Sequence, residues 1–500
     1  MAPPKKPCAL PPSSLFPGPY VPKSLDPQTP NPIPYPLMAR LYPFRAWRYN
    51  PSAVRLEDVV TQPYDKISPA IQQAYYQRSP FNLVRIILGL PELFDAERGE
   101  SVYTRAAREF HVWRQLGVLT QEKSPSLYAY SQRFRLPGSG IVKERRSFIA
   151  LGKLYDFSDQ VVFPHQLRLP EPITDRLDLL KATRAHFDQI LMLYADPAGS
   201  VEKILYDGSG PADIQVTDDA GVLHSLWRIG DPATIGLLTT AMADKKLILA
   251  DGHHRYQTAL AYAKEHAPAP SHPPEKSDST RSLSLQSGSM QGRSMQDRSM
   301  QWPEAAAMMT FVNMDSDGLV IQPTHRVLQG LSNPSPFDPV AFALAAQKFF
   351  TLEALPDADA PSYIDLLGRH QGTAFVAITR AGALLLRARP EAQAALAHLP
   401  ERQRPLDLTQ LHALLLDQVL AINAENLTEK PSAPTHIRYL RDPVEAIDQV
   451  HRGQADIAFL TNPVPIEQLK EVAFAGEQMP PNSTDFYPKP LSGLTIYALD

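Results

Sequence analysis

The pattern of apolar and polar positions from residue 41 to residue 266 predicts a mixture of strands and helices. Short apolar runs and a period of two predict strands, whereas apolar residues that recur on one face at helical spacing predict helices. Strands are predicted at residues 44–49, 81–88, 127–134, 146–154, 190–194 and 247–250, and helices at 69–77, 103–116, 232–242 and 256–264. The segment Pro-Gly-Ser-Gly at 137–140 is expected to join two of the strands in a hairpin.

From about residue 332 the pattern changes to alternating helix and strand signals. Helices are predicted at 342–350, 411–420 and 443–451, and strands at 374–379, 383–386 and 456–460. Such alternation is typical of α/β units. We therefore predict an α/β (α+β) fold in which residues 332–500 form a C-terminal α/β domain.

Two segments lack any period that would bury an apolar face. Residues 1–38 are rich in proline, and residues 267–303 repeat Ser-Met-Gln every five residues, at 289, 294 and 299. A period of five fits neither a helix nor a strand. We expect a disordered Pro-rich leader at 1–38 and a disordered insertion at 267–303 within a first domain that spans 39–331.

Composition narrows the class of protein. Proline accounts for 50 of the 500 residues, and the formal net charge of −4 argues against a surface made mainly for nucleic acid. The single cysteine, Cys8, provides no disulfide framework. No apolar run approaches the roughly 18 residues of a membrane span. We expect a cytoplasmic protein that acts on a small-molecule substrate, without a membrane or nucleic-acid partner; the oligomeric state is left open.

The strongest chemical signal is the strand-turn-helix at 247–264. Asp251, Gly252, His253, His254 and Arg255 lie between the predicted strand and the predicted helix. The first turn of a helix has backbone N–H groups without intrahelical partners, so it favours an anion, and glycine allows close approach. The guanidinium of Arg255 suits phosphate oxygens. Asp251 indicates either a bound divalent metal or acid/base work, whereas the simplest alternative is a capped helix with an ion pair.

Other polar residues near predicted strand ends are candidates for the same pocket. Tyr64 and Asp65 follow a Pro-broken loop, and Asp65 alternatively forms a turn with its own backbone. Arg85 within an apolar run is expected to form a buried ion pair or to contact phosphate. His325 and Arg326 either end a strand that packs on its neighbour or close the anion pocket.

Several separated stretches resemble the bacterial and archaeal family of domain of unknown function 1015, over nearly everything from residue 41 onward. They are 64–68 (Tyr-Asp-Lys-Ile-Ser), 82–85 (Asn-Leu-Val-Arg), 175–177 (Asp-Arg-Leu), 250–259, 323–326 (Pro-Thr-His-Arg) and 483–489. The turn at 251–255 is also similar to the nucleotide-contacting motif of ParB-like domains, a group that includes kinases of free serine. This second resemblance implies a ParB-like first domain with phosphate bound at the helix start.

The chain departs from the family pattern at two positions. Gln166 follows His165 where family members usually have glutamate, and Asn482 stands where they usually have lysine. Glutamine can neither act as a base nor bind a metal as an anion would. If that glutamate is catalytic in the family, the pocket of this protein binds without catalysing.

We therefore consider three functions. The first is a kinase-like phosphotransferase with an alcohol group as acceptor: Asp251, His253 and His254 are catalytic, Gly252, Arg255, Tyr64, Asp65, Arg85, His325 and Arg326 bind phosphate or nucleotide, and Asp251 holds Mg²⁺. The donor would be ATP, ADP or pyrophosphate. The alternatives are a non-catalytic nucleotide-binding regulatory module and a ParB-like DNA-associated protein.

Overall fold

A computed structural model describes residues 38–92, 95, 97, 99–166, 174–268, 300, 302–331, 336–422 and 436–500. The predicted leader and insertion therefore lie outside the described residues, apart from their edges. The residues from Met38 to Asp500 form one compact unit.

The strands in chain order are β1 (Leu41–Tyr42), β2 (Trp47–Tyr49), β3 (Leu119–Gln121), β4 (Leu127–Arg135), β5 (Val142–Lys153), β6 (Val162–Pro164), β7 (Ala185–His186), β8 (Ile190–Tyr194), β9 (Ile214–Thr217), β10 (Leu223–Ile229), β11 (Leu247–Asp251), β12 (Ala306–Asn313), β13 (Val320–Gln322), β14 (His325–Gln329), β15 (Phe350–Leu355), β16 (Ala374–Thr379), β17 (Gly382–Ala388), β18 (His436–Leu440), β19 (Ile457–Leu460), β20 (Asp485–Tyr487) and β21 (Tyr497–Ala498).

The helices are α1 (Leu56–Val59), α2 (Pro69–Arg78), α3 (Val84–Ile87), α4 (Val102–Gln115), α5 (Thr174–Thr183), α6 (Ser200–Tyr206), α7 (Pro232–Met242), α8 (His253–Glu265), α9 (Pro339–Ala346), α10 (Ala360–Gly368), α11 (Pro390–Ala395), α12 (Asp407–Gln410), α13 (Pro443–His451) and α14 (Ile466–Phe474). Leu411–Val419 continues α12 as a π-helical segment, and short 3₁₀ turns occur at Tyr64–Lys66, Phe157–Asp159 and Pro303–Ala305. The fold is α+β, as the sequence pattern predicts.

A mixed sheet in the order β6-β11-β8-β12-β5-β4-β10-β9, with β1 on β5, forms the larger core. Strand β11 is buried on both faces, since Leu247 and Leu249 pack in one apolar cluster while Ile248 and Ala250 pack in another. Burial on two sides explains why its sequence is a continuous apolar run without alternation. The predicted hairpin at 127–154 is confirmed by the antiparallel pairing of β4 with β5.

A second sheet, entirely antiparallel, has the order β15-β17-β16-β19-β14-β18. Its strand β14 precedes the domain boundary predicted at 331/332, yet pairs with β18 and β19 from beyond it. In the reverse direction, β20 pairs with β13 and β21 pairs with β7. The last part of the chain thus returns to strands from the first 330 residues, and the two-domain division stays a prediction.

The strand predicted at 81–88 is wrong. The side-chain oxygen of Asn82 accepts a hydrogen bond from the backbone N–H of Val84, at 3.0 Å, and α3 begins there. Val84, Ile86 and Ile87 are all buried. A short run that is apolar on every side does not distinguish a buried strand from a buried helical turn, and here the Asn82 turn selects the helix.

One tyrosine anchors helix α8 to the segment that follows β5. The buried hydroxyl of Tyr256 donates to the carbonyl of Tyr155, at 2.8 Å, and accepts from the backbone N–H of the same residue, at 2.9 Å. Its ring stacks on Phe157 with centroids 5.6 Å apart. Because the hydroxyl satisfies two buried backbone groups, it sets the position of the helix.

We expect Tyr256→Phe to lower the free energy of unfolding by about 1–3 kcal/mol, since it leaves the N–H and C=O of Tyr155 unpaired in the core. Urea unfolding followed by circular dichroism measures this. Tyr103→Phe is the matched control, because the Tyr103 hydroxyl bonds Asp175 at an exposed site. Equal losses in the two variants would contradict the anchoring role.

Candidate functional site

Strand β11 passes into helix α8 through a bulge and a left-handed glycine. The pairing of β11 with β8 shifts register between Leu249 and Asp251, so the strand is irregular at its last residue. Gly252 has φ +83°, and a Cβ there would lie 3.1 Å from the guanidinium carbon of Arg255. Glycine is therefore required twice, for its backbone conformation and for the space that Arg255 occupies. Helix α8 has no side-chain cap at its N-terminus.

This helix start opens into a cavity of about 350 Å³. Its walls come from the turn after β11, the 3₁₀ turn at 64–66, the end of β18 and the segment 482–489. The lining residues are Tyr64, Asp65, Lys66, Gln166, Ala250, Asp251, Gly252, His253, His254, Arg255, Thr324, Tyr439, Arg441, Asn482, Thr484, Asp485 and Lys489. The structure thus brings together seven of the ten predicted site residues.

The charged groups of the cavity form a connected network. The carboxylate of Asp251 lies 3.4 Å from a terminal guanidinium nitrogen of Arg255 and 3.6 Å from the ammonium nitrogen of Lys489. Lys489 is also 2.9 Å from Asp485, which is paired with Arg441. Four cationic side chains line the cavity against three carboxylates, so its fixed charge is positive when the histidines are neutral.

The pKa values in this network follow from burial and from the neighbouring charges. Burial alone would lower the pKa of Lys489, but Asp251, Asp485 and Asp65 raise it above the usual value. Arg255 behaves in the same way, since its carboxylate neighbours outweigh burial and raise its pKa. Lys66 is the exception, because burial and the nearby Lys489 lower its pKa. For Lys66, burial and the neighbouring cation outweigh the effect of Asp485 and Asp65.

Two buried arginines hold the segment 481–489 in place. Arg145 donates to the side-chain oxygen of Gln132 and to the carbonyl of Pro488. Arg326 donates to the carbonyl of Asn482 at 3.2 Å and to Thr324. Burial lowers the pKa of each of these arginines to about 10. Their partners are oxygens of neutral groups, so their role is to fix the backbone that carries Asp485 and Lys489.

Three predicted phosphate-binding residues do not line the cavity. Arg85 donates to the carbonyl of Tyr76 at 2.9 Å, with its guanidinium 4.6 Å from the Tyr76 ring centroid. His325 accepts from the backbone N–H of Thr461, and burial together with Arg326 lowers the pKa of His325 to about 3. Arg326 does not reach the cavity and donates instead to the carbonyl of Asn482, as described above. A direct phosphate role for these three stays a prediction without support from their positions.

His165 lies beside His253, the first of the two histidines in the motif. Its Nδ1 donates to the carbonyl of Leu249 at 2.8 Å, which leaves Nε2 to accept from the Thr484 hydroxyl at 2.6 Å. Its ring centroid is 5.2 Å from that of His253. His165 therefore ties β11 to the segment 482–489, while Gln166, next in the chain, lines the cavity.

Lys66, Arg441, Asp485 and Lys489 are site residues that the sequence reasoning did not select. Lys66, Asp485 and Lys489 belong to the stretches that resemble the family, so the signal was present for them. Arg441 has no such signal, because only the pairing of β18 with β14 brings it to the cavity.

The side chains that line the cavity do not form a metal site made of protein ligands alone. No group of three or more histidine, cysteine, aspartate or glutamate side chains in the described part of the chain is arranged to hold a metal ion. The carboxylate of Asp251, predicted as the Mg²⁺ ligand, faces two cations instead. A metal at Asp251 stays a prediction, and no chemical step below depends on it.

Helices long and apolar enough to cross a membrane do not occur within the described ranges.

Solved structures that resemble this chain do so distantly. A free serine kinase in complex with AMP is 11% identical, with 65% of this chain and 83% of that chain covered and a TM-score of 0.30. A conserved hypothetical protein from Pyrococcus furiosus (11% identical, 65% and 87% covered, TM-score 0.30) and C-terminally truncated SbnI from Staphylococcus aureus (11%, 69% and 85%, 0.30) are comparable. No curated protein matches the sequence.

A family model matches most of the chain. The model described as "Protein of unknown function (DUF1015)" matches residues 41–409. The matched stretch contains the turn at 251–255 and the strands β1 to β17. The chain belongs to the DUF1015 family.

Proposed function

We propose that the protein transfers a phosphoryl group from a nucleotide or pyrophosphate to the hydroxyl of a small molecule, as kinases of free serine do. One observation carries this proposal: the uncapped start of α8, four cationic side chains and the carboxylate of Asp251 face a single cavity. A volume of about 350 Å³ suits a small ligand.

Phosphoryl transfer requires little covalent chemistry from a protein. It requires neutralisation of the phosphate oxygens, in-line placement of the hydroxyl and removal of its proton. The backbone N–H groups at the start of α8 and the cations Arg255, Lys66 and Lys489 supply the neutralisation. The absence of a side chain at Gly252 lets the guanidinium of Arg255 lie against the start of the helix, where it would contact a bound phosphate.

Asp251 is the proposed base. The hydroxyl oxygen of the acceptor attacks phosphorus, its proton passes to the carboxylate of Asp251, and the bond from phosphorus to the leaving phosphate breaks with its electron pair on the leaving oxygen. The incoming phosphate competes with Asp251 for Arg255 and Lys489. His253 and His254 line the same cavity and would donate hydrogen bonds to the transferred group.

A nucleotide-binding module without turnover is the second candidate. The observation in its favour is Gln166, a neutral side chain on the cavity wall where the family usually has an acid. This candidate needs only the cations and the helix start, which do not depend on Gln166. The DNA-associated alternative has less support, because the cations lie in a concave pocket among carboxylates.

We expect Asp251→Asn to lower the phosphotransfer rate by about 10²–10⁴-fold while nucleotide binding persists, since the amide cannot accept the proton. The assay follows phosphate transfer to L-serine and other small alcohols from ATP, ADP and pyrophosphate. Asp244→Asn is the control, because its side chain is 80% exposed.

The two candidates give different results in this assay. Nucleotide binding without transfer by the wild type, from any donor, would refute the phosphotransferase and support the binding module. Equal transfer rates for the wild type and Asp251→Asn would refute the assigned base.

Lys66 makes phosphate binding sensitive to pH. Its pKa is lowered, so it loses its charge at a lower pH than an ordinary lysine and its attraction for phosphate is lost as pH rises through that value. Lys489, with a raised pKa, stays charged over the same range. We expect nucleotide affinity, measured by calorimetry from pH 7 to about pH 10, to fall with rising pH in the wild type.

Lys66→Arg should flatten that profile, because a guanidinium stays protonated throughout the range. Circular dichroism at each pH checks that both proteins remain folded. Identical profiles for the two proteins would show that another group causes the pH dependence.

A further inference from the structure

A buried series of hydrogen bonds joins Asp218, His224 and Tyr130, and the proposed function does not use it. Oδ2 of Asp218 lies 3.2 Å from Nε2 of His224, and Nδ1 of His224 lies 2.7 Å from the hydroxyl oxygen of Tyr130. His224 and Tyr130 are buried, and the side chain of Asp218 is 5% exposed. These three residues form a relay that does not line the cavity at the start of α8, so it acts on that cavity only through other residues.

Asp218 is held ionised by four hydrogen-bond donors. The backbone N–H groups of Ala220 and Val222 donate to its Oδ1, each at 2.9 Å. The side-chain amide of Gln62 donates to its Oδ2, also at 2.9 Å, and His224 is the fourth donor. Burial raises the pKa of Asp218, but His224 and the two backbone hydrogen bonds lower it by more, so the pKa lies below its usual value.

The positions of the protons in the relay follow from this carboxylate. An ionised carboxylate only accepts hydrogen bonds, so Nε2 of His224 carries the ring proton and donates to Asp218. In the neutral ring Nδ1 is then an acceptor, and the hydroxyl of Tyr130 donates to it. The oxygen of that hydroxyl accepts from the backbone N–H of Leu491, at 3.2 Å. Every donor in the relay therefore points from Leu491 towards Asp218.

The two ends of the relay are attached to two walls of the cavity. Gln62 stands two residues before Tyr64, and Leu491 stands two residues after Lys489; both Tyr64 and Lys489 line the cavity. Strand β4 makes a second hydrogen bond to the same segment, because Gln132 donates to the carbonyl of Lys489 at 2.9 Å. The backbone on both sides of Lys489 is thus fixed by side chains of β4.

We propose that His224, in its neutral form, is a positioning residue that holds the segments of Gln62 and Leu491 in place through Asp218 and Tyr130, and that protonation of His224 releases them. The ammonium of Lys489 is then correctly placed for an anion only while His224 is neutral. The effect on anion binding rests on the proposed function of the cavity, but the effect on the backbone of Leu491 does not.

Protonation of His224 disrupts the relay at Tyr130. Both ring nitrogens of a charged histidine are donors, so Nδ1 no longer accepts from the hydroxyl of Tyr130. The proton of that hydroxyl loses its acceptor, while its oxygen faces two donors, Nδ1–H and the N–H of Leu491. A buried polar group without a partner is costly, so relief of this conflict weakens the hydrogen bond to Leu491.

The surroundings of His224 favour its neutral form. Burial lowers the pKa of His224, Asp218 raises it and the guanidinium of Arg145 lowers it, and the pKa lies below its usual value. Since the unfolded chain binds this proton more readily, the stability that neutral His224 provides is present above about pH 6.5 and is lost progressively as the pH falls below it. The ionisable groups that interact with His224 or Asp218 are Tyr130, Arg145, Tyr75 and Tyr487, besides His224 and Asp218 themselves.

Hydrogen exchange of the full-length protein, measured by mass spectrometry at Leu491, tests the positioning directly. We expect Tyr130→Phe to raise the exchange rate of the Leu491 amide about tenfold, because this N–H loses its acceptor. Tyr128→Phe is the matched control, since Tyr128 is buried on the same strand but its hydroxyl bonds the backbone of Phe44 and Ala46. Equal exchange rates at Leu491 in the two variants would overturn the proposal.

The pH dependence distinguishes the relay from a purely structural contact. In the wild type, the exchange rate at Leu491, corrected for the intrinsic effect of pH, should rise by up to about tenfold per pH unit as the pH falls below about 6.5. His224→Gln removes the titrating group, so this rise should be absent, and circular dichroism checks that the variant is folded. The same pH dependence in both proteins would show that another group is responsible.

Binding of inorganic sulfate, whose charge is constant over this range, tests the link to Lys489. The ratio of the wild-type dissociation constant to that of His224→Gln should increase as the pH falls from about 7 to about 5.5, because only the wild type loses the relay. A constant ratio, together with the expected exchange at Leu491, would overturn the link to Lys489 and uphold the effect on the backbone.

Two further outcomes separate this inference from the proposed function. Unchanged exchange at Leu491 in Tyr130→Phe, together with measurable phosphotransfer, would overturn the relay and leave the function standing. The expected exchange, in a wild type that transfers no phosphate from any donor, would uphold the relay and refute the function.

Discussion

The hydrogen bonds from two buried guanidinium groups to backbone carbonyls hold one wall of the cavity in place. Arg145 and Arg326 reach the carbonyls of Pro488 and Asn482 from two different sheets. A buried arginine without a carboxylate partner is costly, and several well-placed carbonyl oxygens reduce that cost. The hydrogen bonds of these two buried arginines fix the backbone that carries Asp485 and Lys489, so both side chains lie opposite Asp251.

The site is consequently a charge network rather than a set of independent groups. Asp251 is balanced by Arg255 and Lys489, and Lys489 is shared with Asp485. Removal of one member leaves its buried partners uncompensated, so single substitutions affect several pairs at once. The fixed charge of this network is positive, so the network favours an anionic ligand.

The sequence predicted the central motif well because its chemistry is local. Asp251 to Arg255 lie within five residues, and the strand, the turn and the helix each have a recognisable pattern. Tyr64 and Asp65, selected for their position after a broken strand and for a resemblance, line the same cavity. The role of Gln166 and Asn482 stays open, although both line the cavity as expected of site residues.

The errors arose where long-range pairing decides the outcome. Arg85 was expected in a strand, but the Asn82 turn starts a helix and directs Arg85 to the carbonyl of Tyr76. For His325 and Arg326 the sequence left open a strand end that packs on its neighbour or a place in the pocket, and the second sheet buries both. Arg441 reaches the cavity only because β18 pairs with β14, and no local pattern contains that fact.

The pairing of β20 and β21 with strands from the first 330 residues has a consequence for synthesis of the protein. Strands β20 and β21 pair with β13 and β7, and Thr61 bridges to Ser492. Residues 485–498 are translated long after residue 64, yet they complete walls that begin there. The motif at 251–255 is therefore translated long before Lys489, which pairs with Asp251, and the nascent chain carries an unfinished pocket until that segment has been made.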